Sequence, residues 1–225
     1  MEVTDSLPWQ IATWLIPLVI AIVFHEVSHG WVANMLGDPT ARLKGRLSFN
    51  PIKHVDPFGT VLLPMVLAVT GAPVFGWAKP VPVVSQRLRN PRYHMMLVAL
   101  AGPGMNLLLA LVASLLFAAL VAAQPQGLVW VFFIQNLINF IVINVFLAIF
   151  NMLPMPPFDG GHVVEGLLPP RLAVHYRKLG RYGFLLLIVL LLVVPMLFPS
   201  ANIVERIIGP PVNWIIQVLL PNSVG

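Results

Sequence analysis

Residues 9–36 read WQIATWLIPLVIAIVFHEVSHGWVANML, an apolar run interrupted near its end by three ionisable side chains. The run exceeds the ~20 residues that a helix needs to cross the hydrocarbon core. His25 and His29 are four positions apart, so on a helix they stack on one face, with both imidazoles able to reach a common metal. Glu26, next to the first histidine, projects near the same point, where it can take a proton from water that the metal activates. Ionisable groups at membrane depth cost ~2.5 kcal/mol or more each and need partners. Three of them within five residues are hard to explain as packing. The competing reading is two interfacial histidines and a glutamate lining a water-filled cavity or proton path. At ~1.5 Å per residue the motif lies about 24 Å along the helix from Trp9, toward one side of the bilayer.

The rest of the chain agrees with a lipid environment. Of 225 residues, 58% are hydrophobic and 9% charged, against roughly 25% charged in a soluble domain. The first residues, MEVTDSLPW, contain Glu2 and Asp5 but no Lys or Arg. They lack the positive region of a secretory signal, so the first apolar run is expected to stay as a structural helix. With no cysteine, disulfides, thiolate metal sites and cysteine nucleophiles are excluded together. The net charge of +5 sits in a few loops rather than in basic runs interleaved with aromatics. It reports membrane orientation, and nucleic acid is not an expected partner.

The first helix is expected over about Trp9–Leu36, stopped by Gly37-Asp38-Pro39. ARLKGRLSF, residues 41–49, fits a short hairpin around Gly45 at the membrane surface. The apolar run Phe58–Thr70 contains Pro64 and is too short to be a clear span; it reads as re-entrant or interfacial. GAPVFGWAKPVPVV, residues 71–84, reads as extended chain. Further helices are expected over about Pro91–Ala123, broken near AGPGMN (101–106), and over about Val129–Asn151, after a turn at Gln124–Gly127. NMLPMPPFDGGH, residues 151–162, holds three prolines and two glycines and cannot be regular helix. Another span is expected over Gly180–Phe198, and Ile203–Leu220 is either a broken span or an interfacial helix. The fold class is thus an all-α polytopic membrane protein with a short membrane-associated β segment and about four to six membrane-embedded helices. It reads as one domain over 1–225, with C-terminal helices at about 180–220.

Arg42, Lys44, Arg46 and Lys53 follow the first helix, then Lys79, Arg87, Arg89 and Arg92; Arg171, Arg177, Lys178 and Arg181 fill a later loop. The amino terminus and the Gln124–Gly127 turn have no basic residue. The positive-inside rule then puts the amino terminus outside and the motif near the cytosolic side. A catalytic zinc takes three protein ligands and an open position. Asp159 is the best-placed third ligand, in a stretch whose prolines and glycines can aim a carboxylate inward. Asp38 and Asp56 read as capping or surface residues, and Glu165 and His162 compete. His162 reads more readily as a polar neighbour of the site than as a ligand.

HEVSHG in an early helix, AGPGMN in a middle one and NMLPMPPFDGG at the end of the next resemble the site-2 protease family of intramembrane zinc metalloproteases. The resemblance covers about Trp9–Glu165, which it implies is the catalytic core (about 9–165), and is to a compact branch without PDZ or CBS modules. It implies one zinc ion per chain, held by His25, His29 and Asp159, with Glu26 as general base. It also implies that Asn151 contacts substrate backbone or the developing oxyanion, and that Asn106 fills the polar position of the middle motif. Either asparagine can instead satisfy backbone groups freed by nearby prolines. Gly102 and Gly104 read as close-packing positions. The implied partners are transmembrane protein or peptide substrates and the lipid bilayer of a bacterial or archaeal cell membrane; the oligomeric state is left open. Region 40–90 would present substrate as an extended strand. Two rivals carry a different chemistry: a membrane transporter with zinc as cargo, and a non-catalytic membrane scaffold.

Overall fold

In a computed structural model, which describes residues 3–70, 76–189, 193–194 and 203–220, the molecule is built on three long helices. α1 spans Leu7–Met35, α4 spans Pro91–Ala123 and α5 spans Leu128–Asn151. Each boundary has a local cause. Pro8 sits in the first turn of α1, where its missing N–H costs nothing. Beyond the other end, Gly37 takes a φ of 116° that turns the chain. α4 opens at Pro91, after Asn90, whose side chain accepts the Tyr93 N–H, and it closes on the left-handed Gln124. Contrary to expectation, α4 is not broken at AGPGMN but runs through Pro103. A proline removes one backbone hydrogen bond. In lipid, every further freed group would cost more, so helix on both flanks is kept.

The three helices pack mutually, α4 against α5 and α1 against both. Small buried residues let the backbones approach: Ala21 and Ala33 on α1, and Ala99, Gly102, Ala110 and Ala113 on α4. Outward faces carry exposed Ile11, Trp14, Leu15, Leu108, Leu111, Leu115, Val129 and Phe133. Such an apolar exterior suits hydrocarbon, not water. All three helices are long and apolar enough to cross a membrane, and among the described residues no others are. The chain is an integral membrane protein.

Residues 36–90 connect α1 to α4, and here two expectations fail. Gly45 does not turn a hairpin but ends a short helix, α2, Thr40–Leu43. Its N–H bonds Arg42 O and the Arg46 N–H reaches back to Ala41 O, with Gly45 left-handed at φ 62°. That is a glycine C-cap, whose demand for positive φ is shared with hairpin turns. Nor is the expected β segment present: the described residues contain no strand. Residues 76–84 run without helix, turn or bend but pair with no regular neighbour, because Pro80 and Pro82 remove ladder donors. Irregular partners hold the segment instead. Trp77 N bonds Gly59 O at 3.1 Å, Lys79 N bonds His54 O at 2.9 Å, and the Arg46 guanidinium donates to Lys79 O. Residues 71–75 of the expected extended stretch lie outside the described residues. Pro57–Leu62 forms a π-helical turn continuous with α3, Leu63–Thr70, and Asp56 caps it by accepting from Phe58 N and Gly59 N.

Asp38 is fully buried. One oxygen accepts from the Thr40 N–H and hydroxyl, the other from the Val84 N–H at 2.6 Å. Burial alone would raise its pKa, but the bonds from Thr40 and Val84, with the nearby Arg87 charge, hold the carboxyl below the usual range.

After α5, residues 152–158 form an irregular loop, and α6 begins at Asp159 and runs to Leu167. The DGGH end of the expected irregular stretch is therefore helical. α7 covers Pro170–Leu179 and α8 covers Gly183–Ile188. The remainder of the helix expected to Phe198 falls largely outside the described residues. α9, Ile203–Leu219, continues through Pro210-Pro211. It buries Ile208 and Val212 in a cluster with Ala110, Ala113, Ile141 and Val145.

Candidate metal centre

α1 places His25 and His29 one turn apart, both buried, and α6 brings Asp159 to them as its first residue. His25 Nε2 and His29 Nε2 are 3.0 Å apart, and Asp159 Oδ2 lies 3.3 and 3.4 Å from them. A tetrahedral zinc with bonds of ~2.0–2.1 Å sets its ligand atoms about 3.3–3.4 Å apart. Among the described residues these three are the one such group able to hold a metal ion.

Their outer atoms fix what the inner atoms offer. His29 Nδ1 lies 2.7 Å from Val98 O, a pure acceptor, so it carries the proton. The Asn106 amide nitrogen donates to Ala21 O and Asn144 Oδ1, which turns Asn106 Oδ1 toward His25 Nδ1 at 2.6 Å. His25 Nδ1 is therefore also a donor. With both Nδ1 atoms donating, each neutral imidazole presents a bare Nε2 lone pair to the centre. Asp159 Oδ2 is buried there without a hydrogen-bond donor. Three acceptors within 3.4 Å repel one another unless a metal ion or a proton lies among them. The donor set fits zinc.

α4 supplies the opposing wall from one face. Val98, Gly102 and Asn106 are four residues apart and run antiparallel to the histidines: a carbonyl for His29, a gap, and an amide for His25. A Cβ on Gly102 would strike His29 Nε2 and come within 2.6 Å of His25 Cε1. The gap is room for the site itself, where sequence reasoning saw only helix packing. Asn144, fully buried on α5, was also missed. Its signal was an asparagine in the middle of an apolar helix, IVINVF, residues 141–146.

Glu26 is half-buried beside the centre, and one carboxylate oxygen accepts the Val81 N–H at 2.8 Å. Segment 76–84 is therefore tied to the acid at Val81. Gly30 permits this approach, since a Cβ there would come within 2.7 Å of Val81 Cγ1 and 2.6 Å of Leu47 Cδ2. Asn106 is wholly enclosed by His25, Ala21 and Asn144. Asn151, half-buried at the end of α5, donates one amide hydrogen to Leu147 O. Glu165 is bound by Arg177 at 2.6 Å and His162 lies 3.9 Å from Glu165; neither belongs to the cluster.

Comparison with known proteins gives the same reading. The profile of peptidase family M50 matches residues 13–132 and 121–194. YwhC of Bacillus subtilis (strain 168), named as a zinc metalloprotease, is 39% identical over 183 residues, covering 78% of each chain. Rip2 of Mycolicibacterium smegmatis (strain ATCC 700084 / mc(2)155), also named as a zinc metalloprotease, is 28% identical over 186 residues, covering 81% of this chain and 66% of its own. No solved structure matches. Matched over more than half its length and carrying a buried His–His–Asp cluster suited to zinc, the chain belongs to peptidase family M50, the zinc metallopeptidases of the site-2 protease type.

Proposed function

We propose that this metallopeptidase is an endopeptidase that cuts peptide bonds in or near the transmembrane segments of other membrane proteins. The observation that carries the reading is the convergence of His25, His29 and Asp159 beside Glu26 on α1, a helix long and apolar enough to cross a membrane. A soluble substrate would not need a centre on such a helix. Bound there, zinc supplies Lewis acidity, lowering the pKa of water and polarising a carbonyl. His25 and His29, through lone pairs set by Asn106 and Val98, and Asp159 would hold it. Glu26 takes the proton of the attacking water on its free oxygen and passes it to the leaving amine.

The segment 76–84 lies against Glu26, placed to receive an unwound substrate as an extended chain and to compensate its exposed backbone groups. Asn151 keeps a second amide hydrogen for a substrate carbonyl, whereas Asn106 acts through His25. The amino terminus faces outward and the centre lies toward the cytosolic side of a bacterial or archaeal membrane.

The test is reconstitution of the chain in proteoliposomes with a single-pass substrate and zinc. Cleavage that chelation and Glu26→Gln each abolish supports the proposal. Zinc flux across the vesicle without cleavage would instead establish a transporter, and zinc binding with neither would establish a scaffold.

A further inference from the structure

α6 is nine residues long, and three of them are glycines, Gly160, Gly161 and Gly166. Such a helix has little stability of its own. Yet its first residue, Asp159, must be held to within tenths of an ångström if it is to serve a metal. Its position must therefore come from its neighbours: it packs along α4 and is gripped at each end. At the front, Gly160 and Gly161 rest on the backbone of the 152–156 loop: a Cβ on Gly160 would strike Met152 O, and one on Gly161 would come within 2.9 Å of Pro156 N. That contact is a pivot. At the back, the guanidinium of Arg92 reaches across from α4. Its Nε donates to Gly166 O at 3.0 Å and its Nη2 to Leu168 O. Gly166 also lies on Met96, one turn further along α4, where a Cβ would come within 2.9 Å of Met96 Cβ. A further tie, Arg177 to Glu165, involves an arginine 70% exposed and is weakened by water.

We propose that Arg92 is a positioning residue of the metal centre, fixing α6 from its C-terminal end and so setting where Asp159 Oδ2 stands. A planar fork binds two carbonyls at once, and its charge sits at the end of a helix where cations are favoured. Lysine can supply the charge but not the fork. The proposal rests on His25, His29 and Asp159 being the metal ligands. It does not rest on what the peptidase cuts.

The experiment measures zinc affinity by chelator competition, and the visible spectrum with Co2+ as probe, on the purified full-length chain. Variants are Arg92→Gln, Arg92→Lys, Asp159→Ala, the double variant Arg92→Gln/Asp159→Ala, and the exposed Arg89→Gln as a charge-matched control. Arg92→Gln is expected to weaken zinc roughly 10–100-fold and to lower the intensity of the tetrahedral cobalt bands. Arg92→Lys should fall between it and wild type, and Arg89→Gln should change neither reading. In the Asp159→Ala background, Arg92→Gln should cost nothing more, because its effect passes through that carboxylate. Wild-type affinity and spectrum in Arg92→Gln, or a loss that adds in full to that of Asp159→Ala, would overturn the proposal. If Arg92→Gln does not fold, Arg92→Lys decides on the same two readings. Failure of the wild-type chain to bind either metal would instead sink the ligand assignment beneath it.

Discussion

At the scale of single residues, the centre is made as much by what is missing as by what is present. His25, His29 and Asp159 can converge only because Gly102 leaves their wall bare. Gly102→Ala improves intrinsic helix propensity by up to about 1 kcal/mol, so a purely helical role would predict a more stable protein. The geometry predicts instead that zinc affinity falls on the order of 10–100-fold while α4 stays helical. Metal titration alongside circular dichroism checks this, and unchanged zinc affinity would refute it. His25, Glu26 and His29 were legible in sequence because their spacing and the surrounding apolar run coincide, and Asp159 because the prolines and glycines around it can aim a carboxylate inward, with Glu165 and His162 left as competitors. Asn144, the Val98 carbonyl and the purpose of Gly102 were not. A carbonyl has no sequence signature, and the use of a gap depends on which side chain faces it across two helices.

At the scale of elements, the segment 76–84 owes its position to two carboxylates one helix apart in role. Glu26 holds the Val81 N–H and Asp38 holds that of Val84. The sequence identified the segment as extended from its prolines and valines, but the same prolines deny it a ladder, so the strand pairing expected of it does not form. Gly45 misled for a related reason, since left-handed glycine serves hairpins and helix ends alike. Asp38→Asn, which removes the charge from a buried group with three hydrogen-bond donors, is expected to cost about 1–3 kcal/mol of stability. The pH dependence has a defined sign. Because the folded pKa lies below the ordinary 3.8, Asp38 contributes its full stabilisation above that value, and loses it as the pH falls through the folded pKa. Thermal unfolding of wild type and Asp38→Asn between pH 7 and pH 3 should show the gap narrowing only in acid; a constant gap would count against the carboxylate's role.

At the scale of the whole molecule, a three-helix frame of α1, α4 and α5 exposes an apolar exterior and encloses a polar seam. Thr13, Asn139, Asn144, Asn106, His25 and His29 are all buried along it. The three long helices were read from composition within one to two residues, because hydrocarbon thickness and backbone satisfaction leave little freedom to such segments. The number of further crossings was not, since Pro57–Leu67 is short and α9 is amphipathic and carries a proline pair. The native absence of cysteine makes orientation simple to measure. Single cysteines at Gln126 and Lys44 should react with an impermeant maleimide from the outside and from the cytosol respectively. Reaction of both from one side would contradict an odd crossing between them. The central claim, that Glu26 beside this metal centre cuts membrane proteins, is tested most directly in cells carrying either the wild-type chain or Glu26→Gln. The measurement is quantitative proteomics of membrane-retained fragments of single-pass proteins. Glu26→Gln should stay expressed and zinc-loaded while such fragments accumulate, as expected when loss of a general base slows a reaction roughly 10²–10⁴-fold. Equal fragment levels in the two strains, with both proteins present and zinc-loaded, would contradict it.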